Sequence, residues 1–389
     1  MMRSKTKMTT AKAKLNALQK QLEKKFGANV IRPAKEVVPY TNKRIPTGSI
    51  GLDIALNGGY PLGRFIQIRG HFSASKSSFA YHGAREFQKF FADMKQDLYV
   101  ALIQGENGSF TPEYAEQIGI DTDRLIVNEC ASMEEALEVA VQLQKEQVAG
   151  LVIFDSFASF VPMKEQDSAM EDSVQMGLKP KLFDEYCRKF QAMNNKLVRE
   201  GQMPCTIIGL NQIREKIGAY GDPEYSPGGR SLDFTSSLNI NLRRGEWITV
   251  GTGANKQIIG QQVKFKISKS KVSVPYLTGD WDFYIDEGGV VPQGHIDNFK
   301  EVVLESVAYG IVERGGAWFS YKDLKVQGAD NLVAELRNNL ELYEEIKEAT
   351  LKVALEKADD DFNNFKEENS DKEETGAEPK KAPKKTKKK

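Results

Sequence analysis

The sequence predicts an α/β protein with a mainly parallel central sheet, and three observations predict it. Short apolar runs alternate with helical patterns through the middle of the chain, one run leads into a phosphate-loop motif, and a later run ends in an aspartate. Strand–helix alternation demands crossover connections, and these cover a parallel sheet on both faces. Phe65–Arg69, Tyr99–Ile103, Leu125–Val127, Leu151–Phe154 and Thr206–Leu210 read as buried strands. Ser77–Lys89, Met133–Lys145 and Leu182–Arg199 read as helices between them. Leu238–Arg243 and Val263–Ser268 alternate apolar with polar residues, the pattern of half-buried antiparallel strands. From about Ile296 the pattern is helical again, with Val302, Val303, Ser306 and Val307 before Gly315, and 291–355 reads as a small C-terminal α/β domain. At the other end, Leu15, Leu18, Leu22 and Phe26 mark one face of a short helix stopped by Gly27. Alone such a helix is marginal in water. Its stripe must pack either on the chain's own core or on a neighbouring subunit.

The 389 residues suggest two or three domains at about 100–200 residues each. With 40% hydrophobic and 28% charged residues the composition is that of a globular protein. No apolar run approaches the roughly 18 residues of a membrane helix, and the basic N-terminus lacks the apolar stretch of a secretory signal. Cys130, Cys187 and Cys205 are too scattered for a disulfide framework or zinc knuckle, and three histidines argue against a His-rich metal site. A reducing cytoplasm is the expected compartment. The 54 basic and 54 acidic residues cancel, but unevenly: 1–25 carries +7, 26–355 −7, 356–378 −7 and 379–389 +7. A zero sum therefore does not exclude nucleic acid. The last two segments, 356–389, read as a disordered tail, acidic and then basic.

The strand Phe65–Arg69 leads into Gly70-His71-Phe72-Ser73-Ala74-Ser75-Lys76-Ser77-Ser78, which opens a helix. In that context backbone N–H groups and the helix N-terminus cradle phosphates. Lys76 would bridge the β- and γ-phosphates of ATP, and Ser77 would ligate Mg²⁺. Ser75 stands where the motif has its second glycine; a non-glycine at positive φ costs roughly 1–3 kcal/mol. The apolar strand ending in Asp155 has the form of a Mg²⁺-holding element. Glu106, just beyond the strand Tyr99–Ile103, would polarise the attacking water. Asn211 and Gln212 end another strand, where an amide can sense the γ-phosphate. Each group alone also fits an ordinary strand end, and the loop alone an ordinary surface turn. Four such ends in order favour a nucleotide site.

At these residues the chain resembles the RecA family of recombination proteins. The blocks that carry the resemblance are PTGSIGLDIALNGGYPLGRFIQIRG at 46–70, GLNQIREKIG at 209–218, SPGGRSLDF at 226–234, KISKSKVSVP at 266–275 and ERGGAWFSYK at 313–322, with QLEKKFG at 21–27. The similarity runs from about residue 11 to 355. Ser75 is similar to the phage UvsX-like branch, which also substitutes that glycine. The resemblance implies a RecA-type phosphate-loop ATPase core over 46–290, preceded at 1–45 by a polymerisation helix and linker. It implies a DNA-dependent ATPase that forms a filament on single-stranded DNA and exchanges strands with homologous duplex. Glu106 then looks like the family's catalytic glutamate, Gln212 like the glutamine coupling γ-phosphate to DNA, and Tyr114 like the aromatic packed on adenine. Lys269 and Lys271 look like the pair that reaches a neighbour's ATP.

DNA contacts are expected from two loops. The first, about Lys164–Val174, is followed by Met176, Lys179 and Lys181. The second, about Ile213–Leu232, holds Arg214, Ile217, Gly218, Tyr220, Gly228, Gly229 and Arg230. Glycines let backbone amides approach phosphates, Ile217 would separate stacked bases, and Lys181, Arg188 and Arg230 would neutralise the backbone. Two other readings remain: a ring-forming helicase on the same fold, and a regulatory protein that binds ATP poorly because of Ser75.

Overall fold

In the computed structural model the described residues are 2–37, 42–106, 108–169, 177–215, 224–225, 227 and 229–375. The chain begins with α1 (Met2–Phe26), followed by a short pair, β1 (Arg44–Ile45) and β2 (Tyr60–Pro61), enclosing α2 (Ile50–Ala55). The strands β3 (Phe65–Gly70), β4 (Tyr99–Gln104), β5 (Leu125–Glu129), β6 (Ala149–Asp155) and β7 (Thr206–Gln212) come next. Between them lie α3 (Lys76–Asp93), α4 (Pro112–Ile118), α5 (Met133–Lys145), α6 (Met163–Gln166) and α7 (Leu178–Arg199). A small pair, β8 (Arg214–Glu215) and β9 (Glu224–Tyr225), and α8 (Arg230–Thr235) precede the long strands β10 (Leu238–Val250), β11 (Gln257–Ser270) and β12 (Thr278–Tyr284).

These form one eight-stranded sheet in the order β12-β11-β10-β3-β7-β6-β4-β5. The six strands from β10 to β5 are parallel, and β11 and β12 add an antiparallel edge. The expected mainly parallel sheet is therefore present. Period-two alternation assigns its two faces. Ile66, Ile68, Val100, Leu102, Ile153, Ile208 and Leu210 pack with Phe79 and Phe87 of α3. Phe65, Ala101, Ile103, Val152, Phe154 and Ile207 pack on the opposite face with Met133 of α5 and Phe183 and Phe190 of α7.

The C-terminal part comprises α9 (Asn298–Ala308), the antiparallel strands β13 (Glu313–Gly315), β14 (Trp318–Tyr321) and β15 (Leu324–Gln327), α10 (Ala329–Asn338) and α11 (Leu340–Thr375). Its core of Val302, Val303, Phe319, Leu332, Leu336 and Ile346 also takes in Ile50 and Ile54 of α2. The buried Glu301 carboxylate accepts from the Ser49 hydroxyl at 2.7 Å and from the amides of Ile50 and Gly51, both at 3.2 Å. Those amides are orphan donors at the start of α2, so one carboxylate caps a helix and joins the two parts.

Both ends of the chain differ from expectation. The helix α1 is 25 residues long, well beyond the apolar stripe, because its first half contains no glycine or proline to stop it. The stripe does not pack on the chain's own core: Leu15, Leu18 and Phe26 are 40%, 45% and 54% exposed. Tethers to the body run through Gln19, donating to the Ile31 carbonyl, and through Asn29, donating to that of Arg199. The expected disorder of 356–389 is corrected over 356–375, which continue α11. Ile346 and Ala354 anchor the helix, and propagation adds a bond per residue without a second nucleation cost. Asp359 there accepts a hydrogen bond from the Asn57 side chain. Residues 376–389 lie outside the described residues. No helix among the described residues is long and apolar enough to cross a membrane.

Candidate functional site

The carboxyl ends of β3, β4, β6 and β7 meet at one edge of the sheet. Register places Gly70 beside Gln212, and Gln104 beside Asp155. The Ile213 amide donates to the Gly70 carbonyl at 3.2 Å, and the Gly105 amide to that of Asp155 at 3.2 Å. The phosphate loop, Glu106, Asp155 and Gln212 thus lie at one edge of the sheet. Gly70 is required by close approach: a Cβ there would lie 2.5 Å from the Leu242 carbonyl oxygen.

Within the loop, Ala74 is buried in the core while Phe72 is 91% exposed. Ser73 and Ser75 both hold left-handed backbone, with φ of 57° and 55°. The missing glycine therefore falls where a positive φ is needed. Ser75 immediately precedes α3, whose first turn contains Lys76, Ser77 and Ser78. The helix N-terminus and its unpaired amides point at the place where phosphates would lie.

Lys76 donates to the loop's own His71 carbonyl at 2.9 Å. Burial lowers its pKa, while Asp155 and Glu106 pull it back up. Asp155 is held above the usual carboxylate range, chiefly by burial; the Ser77 hydroxyl, hydrogen-bonded to it, works in the opposite direction. One hydroxyl and one carboxylate in contact beside a lysine fit Mg²⁺, which takes one or two protein ligands together with substrate phosphates. Tyr114 donates to the Ser78 hydroxyl at 2.8 Å, and its ring lies against Gly294, where a Cβ would come within 2.9 Å of it. Gln212 is half-buried, and the Asn211 side chain clamps its backbone while donating to the Pro227 carbonyl.

Lys269 and Lys271 do not join this crevice. Lys269 pairs with Asn239 in register, and Asn239 with Gln67, three residues before Gly70. The Lys271 amide bonds the Ser237 carbonyl, and the Ser237 amide bonds that of Phe65. At about 3.3 Å per residue the two lysines are set back toward the start of β3 by roughly 10–16 Å. Lys269 donates to the carbonyls of Asp233 and Phe234. Burial and the neighbouring Lys271 lower its pKa to about 8.

Of the expected DNA contacts, Met176, Ile217, Gly218, Tyr220 and Gly228 lie outside the described residues. Arg214 falls in β8 and Arg230 opens α8. Gly229 abuts Pro180 of α7, so closely that a Cβ would sit 2.9 Å from the proline ring; this joins the feet of the two loops. Lys181 is exposed in the first turn of α7. Arg188 is exposed and paired with Asp184, roughly 16 Å along the helix from Gly177 at 1.5 Å per residue. That sets it back from the foot of the first loop.

Sequence reasoning missed Gln261. This buried amide on β11 donates to the Ser75 hydroxyl at 2.6 Å and to the Ser73 carbonyl at 3.1 Å. The signal was a glutamine in the apolar row that Val263, Phe265 and Ile267 continue.

Comparison with known proteins gives one result. The family model described as the RecA N-terminal domain matches residues 13–290, and that of the RecA C-terminal domain matches 301–354. A protein RecA of Mesomycoplasma hyopneumoniae (strain 7448) is 35% identical over 339 residues, spanning 86% of this chain and 93% of its own. That of Enterococcus mundtii is 34% identical over 338 residues, 86% of this chain and 90% of its own. That of Lactobacillus johnsonii is 34% identical over 340 residues, 87% and 88%.

Proposed function

We propose, from the premise that this chain belongs to the RecA family, that it is an ATP-dependent DNA recombinase. It forms a filament on single-stranded DNA, pairs it with homologous duplex and exchanges strands, in recombination and repair. The observation that carries the reading is the convergence of Lys76, Ser77, Asp155, Glu106 and Gln212 at the ends of adjacent strands.

The chain's residues divide the work. Loop amides and the N-terminus of α3 bind the phosphates of ATP, and Lys76 lies where charge builds on them. Ser77 and Asp155 would hold Mg²⁺, which when bound neutralises phosphate charge. Glu106 orients the attacking water and draws its proton. Gln212 contacts the γ-phosphate and opens the segment leading to the second DNA loop, so hydrolysis and DNA grip are coupled. Tyr114 packs the base. Lys269 and Lys271, set back from their own phosphate loop, serve the nucleotide of an adjacent subunit, so hydrolysis depends on assembly. The exposed stripe Leu15, Leu18 and Phe26 of α1 packs on that neighbour.

With ATP, Mg²⁺ and single-stranded DNA, the full chain is expected to show DNA-stimulated phosphate release, helical filaments and exchange of a labelled homologous strand. Leu15→Glu with Leu18→Glu is expected to leave nucleotide binding intact and abolish fast-sedimenting filaments. Lys269→Ala with Lys271→Ala is expected to assemble on DNA yet lose its stimulation of hydrolysis. Closed rings that unwind duplex without exchanging strands would sink the proposal in favour of a helicase.

A further inference from the structure

The row Gln261, Val263, Phe265, Ile267 faces the core from β11, and Gln261 is only 3% exposed. A buried primary amide needs partners, and an amide in an apolar row is retained only if those partners matter. The donors of Gln261 go to the phosphate loop, to Ser75 Oγ at 2.6 Å and to the Ser73 carbonyl at 3.1 Å. These two residues are the loop's non-glycine positions with left-handed backbone. The torsion at Ser75 also sets how α3 departs, since its carbonyl accepts the Phe79 amide at 2.9 Å, a bond of the first turn. A free serine would relax toward extended or right-handed backbone, where its Cβ is unstrained, and would turn the following amides away.

We propose that Gln261 is a positioning residue for nucleotide binding, whose amide compensates for the absence of glycine at position 75. Tethering Ser73 and Ser75 to β11 holds both in the left-handed region that glycine would adopt unaided. It also keeps the Ser75 hydroxyl on the strand side of the loop. Binding pays no reorganisation of the loop, so the effect falls on nucleotide affinity more than on turnover of bound nucleotide. The inference rests on the reading that this loop binds ATP.

A double-mutant cycle in the full-length chain tests it, with the dissociation constant for ATP and Mg²⁺ measured by calorimetry. Gln261→Met, close in volume and unable to donate, is expected to weaken ATP binding about tenfold when residue 75 is serine. In a Ser75→Gly background the same change is expected to cost no more than about twofold, because the tether is then superfluous. Ser75→Ala keeps the Cβ and loses the acceptor without touching the core; it too is expected to weaken binding about tenfold, and adding Gln261→Met to it to change little. The kcat of Gln261→Met at saturating ATP stays within about threefold of wild type. Equal losses from Gln261→Met in the wild-type and Ser75→Gly backgrounds, or an unweakened Ser75→Ala, overturn the proposal while leaving the nucleotide site intact. A wild-type chain that binds no ATP overturns both.

Discussion

Lys76→Ala is expected to lower DNA-stimulated ATP hydrolysis by at least about 10²–10³-fold, the scale lost when one preorganised electrostatic group is removed. The ammonium lies in a partly buried crevice with Asp155 and Glu106, and its bond to the His71 carbonyl places it at the mouth of the loop. Burial lowers its pKa and the two carboxylates oppose that. Without the ammonium, phosphate would enter a site flanked by two carboxylates. Strand exchange is expected to fail with hydrolysis. Phosphate release measured at saturating single-stranded DNA decides the matter, and more than a tenth of wild-type activity would refute the role.

Glu106→Gln is expected to separate binding from chemistry. The side chain follows β4, which is paired with β6 so that Gln104 lies beside Asp155. It is exposed within the crevice and close enough to influence both Lys76 and Asp155. An amide keeps its size but cannot take a proton. The kcat is expected to fall by about 10²–10⁴, the range for a lost general base, with ATP affinity nearly unchanged. Filaments on DNA should then persist long after wild-type filaments have turned over. A large loss of affinity with kcat preserved would mean that Glu106 only shapes the pocket.

Much of the core was legible because buried parallel strands read as continuous apolar runs, and both of their faces are filled. The four strand ends were legible for a related reason: a polar residue that ends such a run must lie at the sheet's edge. The charged segment 356–375 was misread because composition reports the lack of a core, not a helix continued from a packed neighbour. The fate of the Leu15 stripe was equally hidden, since an amphipathic face states that it needs a partner without stating which.

By itself the sequence determined the alternation of strands and helices, the phosphate loop, and the carboxylates and amide that follow particular strands. These depend on local periodicity and on chemistry within a few residues. Only the tertiary structure decided that β4 and β6 are neighbours, which puts Gln104 beside Asp155 and brings Glu106 within electrostatic reach of it, and that Lys269 and Lys271 lie away from their own loop. It alone brought Gln261 to Ser75, 186 residues apart in sequence. Register between distant strands sets such contacts, through hydrogen bonding and packing that no local window contains.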